Sequence, residues 1–364
     1  MSAISSHIMR RGTDLAAAHL RGPADKPNTG EPEVGVMIVI AVTAVVFGLM
    51  FWAIEYTYGM VIATLAAVED TNPDIYVRIA SEPNPIKPTD EDEPEIGTAT
   101  PLKPITSKLR TTVKHLRSRA GFWSRFRGAG MFVAYAAARS FIAGLIPIPV
   151  TSYIGSFFVQ SFLSVLFATW QMAWVHIVIS EPSPKSFYQR IPSYKTWIKI
   201  APAAAVQDIL TAAAFFIPLA IAEFAGWLDV SNNNEVPSLV ALFRFMGVLV
   251  APAILAFLIS IPARVIFVRV AASMLPEEDE TIVPFDRSFG GKVNPAITGG
   301  SGKIGIVDAW TTFDWAARVR FAKVVGKTFA MEVALGIFAS LVLGGQLIWA
   351  MKTAKPVKDN SPAF

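Results

Sequence analysis

The segment Val34 to Ile54, VGVMIVIAVTAVVFGLMFWAI, runs for 21 residues without an ionisable side chain. At about 1.5 Å per residue, a helix of that length crosses the roughly 30 Å of hydrocarbon in a bilayer. A cleaved secretory signal has a shorter apolar stretch placed nearer the N-terminus. Apolar character persists past Glu55 to Val68, so the helix either runs long and tilted or continues beyond the bilayer. Composition agrees with a chain built mostly for lipid: 53% of residues are AVILMFWYC and only 16% are charged.

Further apolar segments make six crossings the expected count. They are Ala129 to Ile146, interrupted by Arg139; Thr151 to Ser180, with His176 its one titratable group; Ile200 to Ala222, carrying Asp208; Val236 to Ile261, with Arg244 near its start; and Val333 to Met351. The second and third are joined by PIPV at 147–150, where proline removes donors and ends helices, so they form a hairpin. The expected fold is an all-α polytopic bundle. A basic tail over 1–33 precedes a membrane domain over 34–351 with loops at 69–128, 181–199 and 262–328, and a tail over 352–364 follows. The long loops each become basic before the next crossing, which puts them on one side and both termini on the other.

Charge position excludes several functions. Nine acids lie between Glu69 and Glu95, and eight bases without an acid between Lys103 and Arg127. The basic run abuts an apolar segment, which favours a membrane-flanking role over nucleic acid. Residues 71–104 hold seven of the 25 prolines among many acids, the composition of a loosely packed loop. Zero cysteines exclude a disulfide scaffold, a thiolate metal site and a cysteine nucleophile, and four scattered histidines make no metal centre. GGSGKIG (299–305) fails as a phosphate loop because Ile304 stands where the magnesium hydroxyl belongs. No HExxH, GxSxG or EF-hand pattern occurs, so neither catalytic residues nor a cofactor are expected.

Three segments returning to the membrane look alike: each starts with aromatic and basic residues, including Trp123, Trp197 or Trp315, and continues with small ones. Tryptophan suits the headgroup region, and Lys or Arg beside it can snorkel there. Superposing AAARSF, AVQDIL and AMEVAL puts Arg139 and Asp208 at one position and Glu332 one residue before it, one charge per even-numbered crossing. A charge in a lipid-surrounded helix costs about 2.5–3.5 kcal/mol on insertion scales, so such groups face a bundle interior or a wet cavity. Gln160, Gln171 and His176 on the third crossing and Arg244 on the fifth are candidates for the same interior. At about 100° per residue the two glutamines lie about 20° apart and share a face, and the histidine does not. Two readings of the charged set stay open: ion pairs that lock the helices together, or a substrate site. In a site, Arg139 would hold a carboxylate or phosphate through its planar fork. Asp208 and Glu332 would accept protons or pair with an amine, and Arg244 would bring the set to neutrality, which fits an amphoteric small molecule.

The arrangement resembles the mitochondrial carrier family, whose three tandem units each contain an odd helix, a loop with an interfacial amphipathic helix, and an even helix. SRFRG (124–128) is similar to the aromatic-basic-glycine element before that family's even helices, and IKIAPAAAV (198–206) to its small-residue, proline-containing helix start. The resemblance covers about 34 to 351. It implies a translocator of a small, amphoteric or carboxylate-bearing solute, with Arg139, Asp208, Glu332, Arg244 and Gln171 as substrate-binding residues, in the mitochondrial inner membrane. The alternative is a non-transporting membrane adaptor or organising protein in a mitochondrial or endomembrane setting, holding membrane-protein partners through loops 69–128 and 262–328. The carriers' odd-helix signature of proline, acid and base is missing from ISEPSPKSFYQR (179–190) and VEDTNPDIYVR (68–78), and PFDRSF (284–289) has Phe289 in place of the base. The N-terminal ISSHIMRRGTDLAAAHLRG reads either as a mitochondrial targeting helix or as an ordinary basic tail.

Overall fold

A computed structural model describes residues 33–71, 104–146, 153–226, 239–294 and 300–353. The N-terminal and C-terminal tails, most of the proline-rich acidic segment and PIPV (147–150), expected as a hairpin connection, lie outside the described residues. Every long element is a helix, and the one β-bridge among the described residues pairs Ser180 with Thr281. The helices are α1 (Val34–Val68), α2 (Leu109–Ala120), α3 (Ala129–Leu145), α4 (Tyr153–Leu166), α5 (Ala168–Ile179), α6 (Tyr194–Phe224), α7 (Leu239–Ser273), α8 (Ile306–Thr311) and α9 (Trp315–Thr353). Five helices among the described residues are long and apolar enough to cross a membrane, and six spans result if the bent pair α4–α5 is one.

The chain divides into two compact units, residues 1–55 with 327–364 and residues 56–326. In the first, the α1 residues Val34–Ile54 are apolar on every side, and most of their large side chains are exposed, as lipid contact requires. Phe47 packs edge-on against Phe338 at 5.8 Å, over Leu335 and Ala339. Gln346 donates to the Thr43 hydroxyl at 3.0 Å.

The second unit holds the main core. It gathers the C-terminal ends of α1, α5 and α7, the N-terminal ends of α3, α6 and α9, and the loops between them. The α1 residues Tyr56 to Val68 are almost all buried here, starting through a π-helical stretch at Glu55–Ile62. Gly59, Ala63, Ala66 and Ala67 let neighbours come close, the small-residue packing that apolar helices use. Tyr56 donates to the Arg127 carbonyl at 2.6 Å and accepts from the Trp174 indole at 3.0 Å. Gly128 adopts φ +72°, and a Cβ there would meet the Trp174 ring at 3.0 Å, so glycine is required at the turn before α3.

Helix C-termini present carbonyls without intrahelical partners, and buried bases take them. Arg269 on α7 donates to the Ala67 carbonyl at 3.3 Å, and Arg320 on α9 to the Glu69 carbonyl at 2.6 Å, closing α1. Arg127 closes α5 through the carbonyls of Ile177, at 2.8 Å, and Ser180. His176 contacts the Ala271 carbonyl of α7 at 2.8 Å. The Glu69 carboxylate, 1% exposed, accepts from the backbone N–H groups of Ile105 and Thr106 at 2.6 and 2.9 Å and from the Thr106 hydroxyl. That fastens the segment leading into α2 onto the end of α1.

Two sequence expectations change here. The loop expected over 262–328 is helical at both ends, because α7 runs to Ser273 and α9 starts at Trp315. Arg264 and Arg269 do not end α7, since carbonyls of α1 receive them at Met60 and Ala67. The bases flanking the crossings do not all snorkel: Arg127, Arg318 and Arg320 are spent on backbone carbonyls inside the unit. Trp123 and Trp315 are exposed as headgroup residues should be, whereas the Trp197 indole turns inward to the Val165 carbonyl at 2.8 Å.

Glu69→Gln tests this core directly. The amide has one acceptor oxygen and turns an NH2 toward donors, so unfolding free energy should fall by about 1.5–3 kcal/mol. Thermal unfolding in detergent reads it, and an unchanged midpoint would contradict the role given to Glu69.

Candidate functional site

The expected substrate residues Arg139, Gln171 and Asp208 meet in one polar cluster. Arg139 on α3 donates to the Tyr135 hydroxyl at 3.1 Å and to the Gln160 side chain of α4. Gln171 on α5 donates to the Tyr135 hydroxyl at 2.9 Å and to the Ser164 hydroxyl at 2.8 Å. Ser164 in turn donates to the Asp208 carboxylate on α6. Four helices are thereby joined by side-chain hydrogen bonds, with Arg139 and Asp208 at opposite ends of the chain of contacts.

The cluster surrounds a break. Helices α4 and α5 bend by 59° at Phe167, and Ser164 and Gln171 flank the bend. A break inside lipid exposes backbone groups that need partners. The Trp197 indole takes the Val165 carbonyl and Gln171 approaches the Ser164 carbonyl at 3.5 Å, so side chains supply those partners. The helical-wheel separation of Gln160 and Gln171 assumes a straight helix; both reach the cluster across the bend.

The remaining expected residues lie elsewhere. His176 is buried against α7 and outside the cluster. Glu332 belongs to the first unit, where its carboxyl hydrogen-bonds Glu55. The Arg244 side chain lies outside the described residues. PFDRSF follows α7 as a turn: the Asp286 carboxylate accepts from the Ser288 and Gly290 N–H groups, both at 2.8 Å. Burial pushes the Asp286 carboxyl up, but these hydrogen bonds and that of the Ser288 hydroxyl outweigh it and hold the group below its ordinary 3.8. Its contribution to stability is thus present above the ordinary carboxylate range and is lost as pH falls below it.

Sequence reasoning missed a cavity of about 380 Å³ in the second unit, lined by Asp70, Arg269, Asp286, Lys292, Thr312 and Asp314 among others. Arg269 lies over the Phe289 ring at 4.7 Å and the Phe313 ring at 5.3 Å, and its Nη2 donates to Thr312 at 2.9 Å. Its buried Nε has no partner among the described residues, leaving one donor for an oxygen acceptor. No local pattern reveals this site, because its residues come from four separated segments and its acids read as loop charges. The described part of the Gly-rich segment, 300–305, forms a clasp instead: Lys199 donates to the Ser301 carbonyl at 2.7 Å and Lys303 to the Lys199 carbonyl at 2.9 Å. Among the described residues no group of three His, Asp or Glu side chains is placed to hold a metal ion.

No family model and no curated protein matches the chain. The carrier resemblance therefore rests on the residues that suggested it.

Interhelical hydrogen bonds in membrane proteins average about 0.6 kcal/mol and reach about 1.7. Ser164→Ala and Asp208→Asn should each destabilise by about 1 kcal/mol, and the double variant by less than the sum, because the first removes the donor of one contact and the second weakens its acceptor. Additive losses in unfolding midpoints would show that the two do not act together.

Proposed function

We propose that this chain is a non-transporting organising protein of a membrane, related to carriers in plan, whose six crossings form three two-helix units and hold a platform of helix ends and loops against one face. The observation that carries this reading is the state of Arg139, Gln171 and Asp208. Each already holds a side chain of another helix, so their charges and donors are used in joining α3, α4, α5 and α6. The platform supplies the working surface, with the segments 69–128 and 262–328 toward membrane-protein partners. A mitochondrial membrane is the setting proposed, with an endomembrane as the alternative.

The cavity beside Arg269 favours a second reading, the handling of a small amphoteric solute. Its lining carries a guanidinium and an ammonium together with the carboxylates of Asp70, Asp286 and Asp314. The lining matches a molecule with both an amine and an anionic oxygen.

Reconstitution into proteoliposomes with labelled amino acids, carboxylates and phosphate esters separates the two. The organising reading predicts no saturable uptake of any of them, with Arg139→Gln and Asp208→Asn lowering stability alone. Saturable uptake lost in a folded Lys292→Gln variant, which alters the cavity lining, would establish the second reading. For topology, cysteines introduced singly at the exposed Ser118, Ser193 and Ser301 of this cysteine-free chain should react from the same side with an impermeant thiol reagent. Labelling from opposite sides would refute the six-crossing arrangement.

A further inference from the structure

Two groups of bases in the second unit contrast. One is spent on carbonyls, with Arg269 and Arg320 buried and Arg127 half-buried. The other is exposed on and beside α2. That helix buries Thr112 and Leu116 in the core, with Leu109 and Val113 packed alongside, and turns Arg110, Lys114, Arg117 and Arg119 outward. Among the described residues, the one ion pair in this group joins Arg119 to Glu181 at 3.2 Å. Arg110, Lys114 and Arg117 stand three or four residues apart on one face, a like-charge spacing that weakens an isolated helix. Among the described residues Arg110, Lys114 and Arg117 make no ion pair, so their charge faces outward.

Beside it two large rings are held outward. Phe122 is 56% and Trp123 72% exposed, directly before α3 enters its apolar run. Arg117 and Arg125 lie over the Phe122 ring at 4.9 and 6.0 Å, so base and ring form one patch. Rings that are exposed to water at the foot of a membrane span and flanked by bases have the composition of an interfacial anchor.

We infer that the outer face of α2, together with Phe122 and Trp123, is a docking surface for anionic phospholipid headgroups of the bilayer in which the protein sits. Arg110, Lys114 and Arg117 attract the headgroup phosphates, and the two rings enter the headgroup layer and fix the depth of the helix. A juxtamembrane base is worth about 1 kcal/mol at an anionic surface, which is about fivefold in local lipid preference for each base. This surface goes beyond the organising role: it selects the lipid that surrounds the platform, and it rests only on the membrane-spanning reading.

The test uses the full chain in nanodiscs, with Ser118→Cys as the single thiol carrying an environment-sensitive fluorophore. Ser118 is exposed near the C-terminal end of α2. Headgroup-proximal spin-labelled phosphatidylglycerol should quench the fluorophore several-fold more than the same fraction of spin-labelled phosphatidylcholine. The preference should disappear in Arg110→Gln/Lys114→Gln/Arg117→Gln and at high salt, while circular dichroism of that variant stays unchanged. Trp123→Ala should weaken quenching by both lipids alike, reporting loss of depth and not of charge. Equal quenching by the two lipids, or a preference that survives the triple variant, would overturn the inference. Competition by soluble glycerol phosphate at millimolar concentration would also overturn it, showing a site for free phosphate. Failure of the chain to enter nanodiscs would instead contradict the membrane-spanning reading beneath it.

Discussion

Buried bases closing the carbonyl ends of helices are the interaction on which the second unit depends. A helix that finishes inside a packed core leaves carbonyls that water cannot reach, and each costs free energy unless a donor arrives. Here the donors are side chains from neighbouring segments: Arg269 and Arg320 for α1, Arg127 of the turn before α3 for α5, and His176 toward α7. Each bond joins two segments that are far apart in sequence. The negative end of the helix dipole adds attraction, by about 2 kcal/mol in partly buried cases. Glu69 extends the junction: its carboxylate holds Ile105 and Thr106 ahead of α2 while its backbone carbonyl receives Arg320 of α9.

The same problem is solved differently deeper along the helices. At the α4–α5 bend the free groups lie at a break, and neutral or amphipathic side chains serve them: Trp197, Gln171 and Ser164. Prolines inside α6 and α7, at 202, 218, 252 and 262, are tolerated without ending either helix. Arg139 and Asp208 then form the ends of a hydrogen-bonded chain and not an ion pair, which distributes each charge over several dipoles.

Much of the helical plan was legible in the sequence because a bilayer imposes length and apolarity on each span. Val34–Ile54 is legible from those two properties alone, and the clustering of Arg139 with Asp208 follows from the cost of isolated charge in lipid. Helix ends were less legible: a base such as Arg269 stops a span on a hydropathy count, yet it continues α7 when an acceptor is waiting on α1. Trp197 looks like Trp123 and Trp315 in sequence and differs only because α4 offers it a carbonyl. The charged cavity was not legible at all, since Asp70, Arg269, Asp286 and Asp314 meet only after α1, α7 and α9 have packed.

Hydrogen exchange read by mass spectrometry on Arg320→Gln, in lipid nanodiscs, tests the central claim most directly. If buried bases fasten the helix ends into one cooperative core, exchange should rise together at the end of α1, over residues 104–113 and near the C-terminus of α7, while Val34–Ile54 stays unchanged. A rise limited to the first turns of α9 would show that the carbonyl contact is local and that the core is held by apolar packing alone.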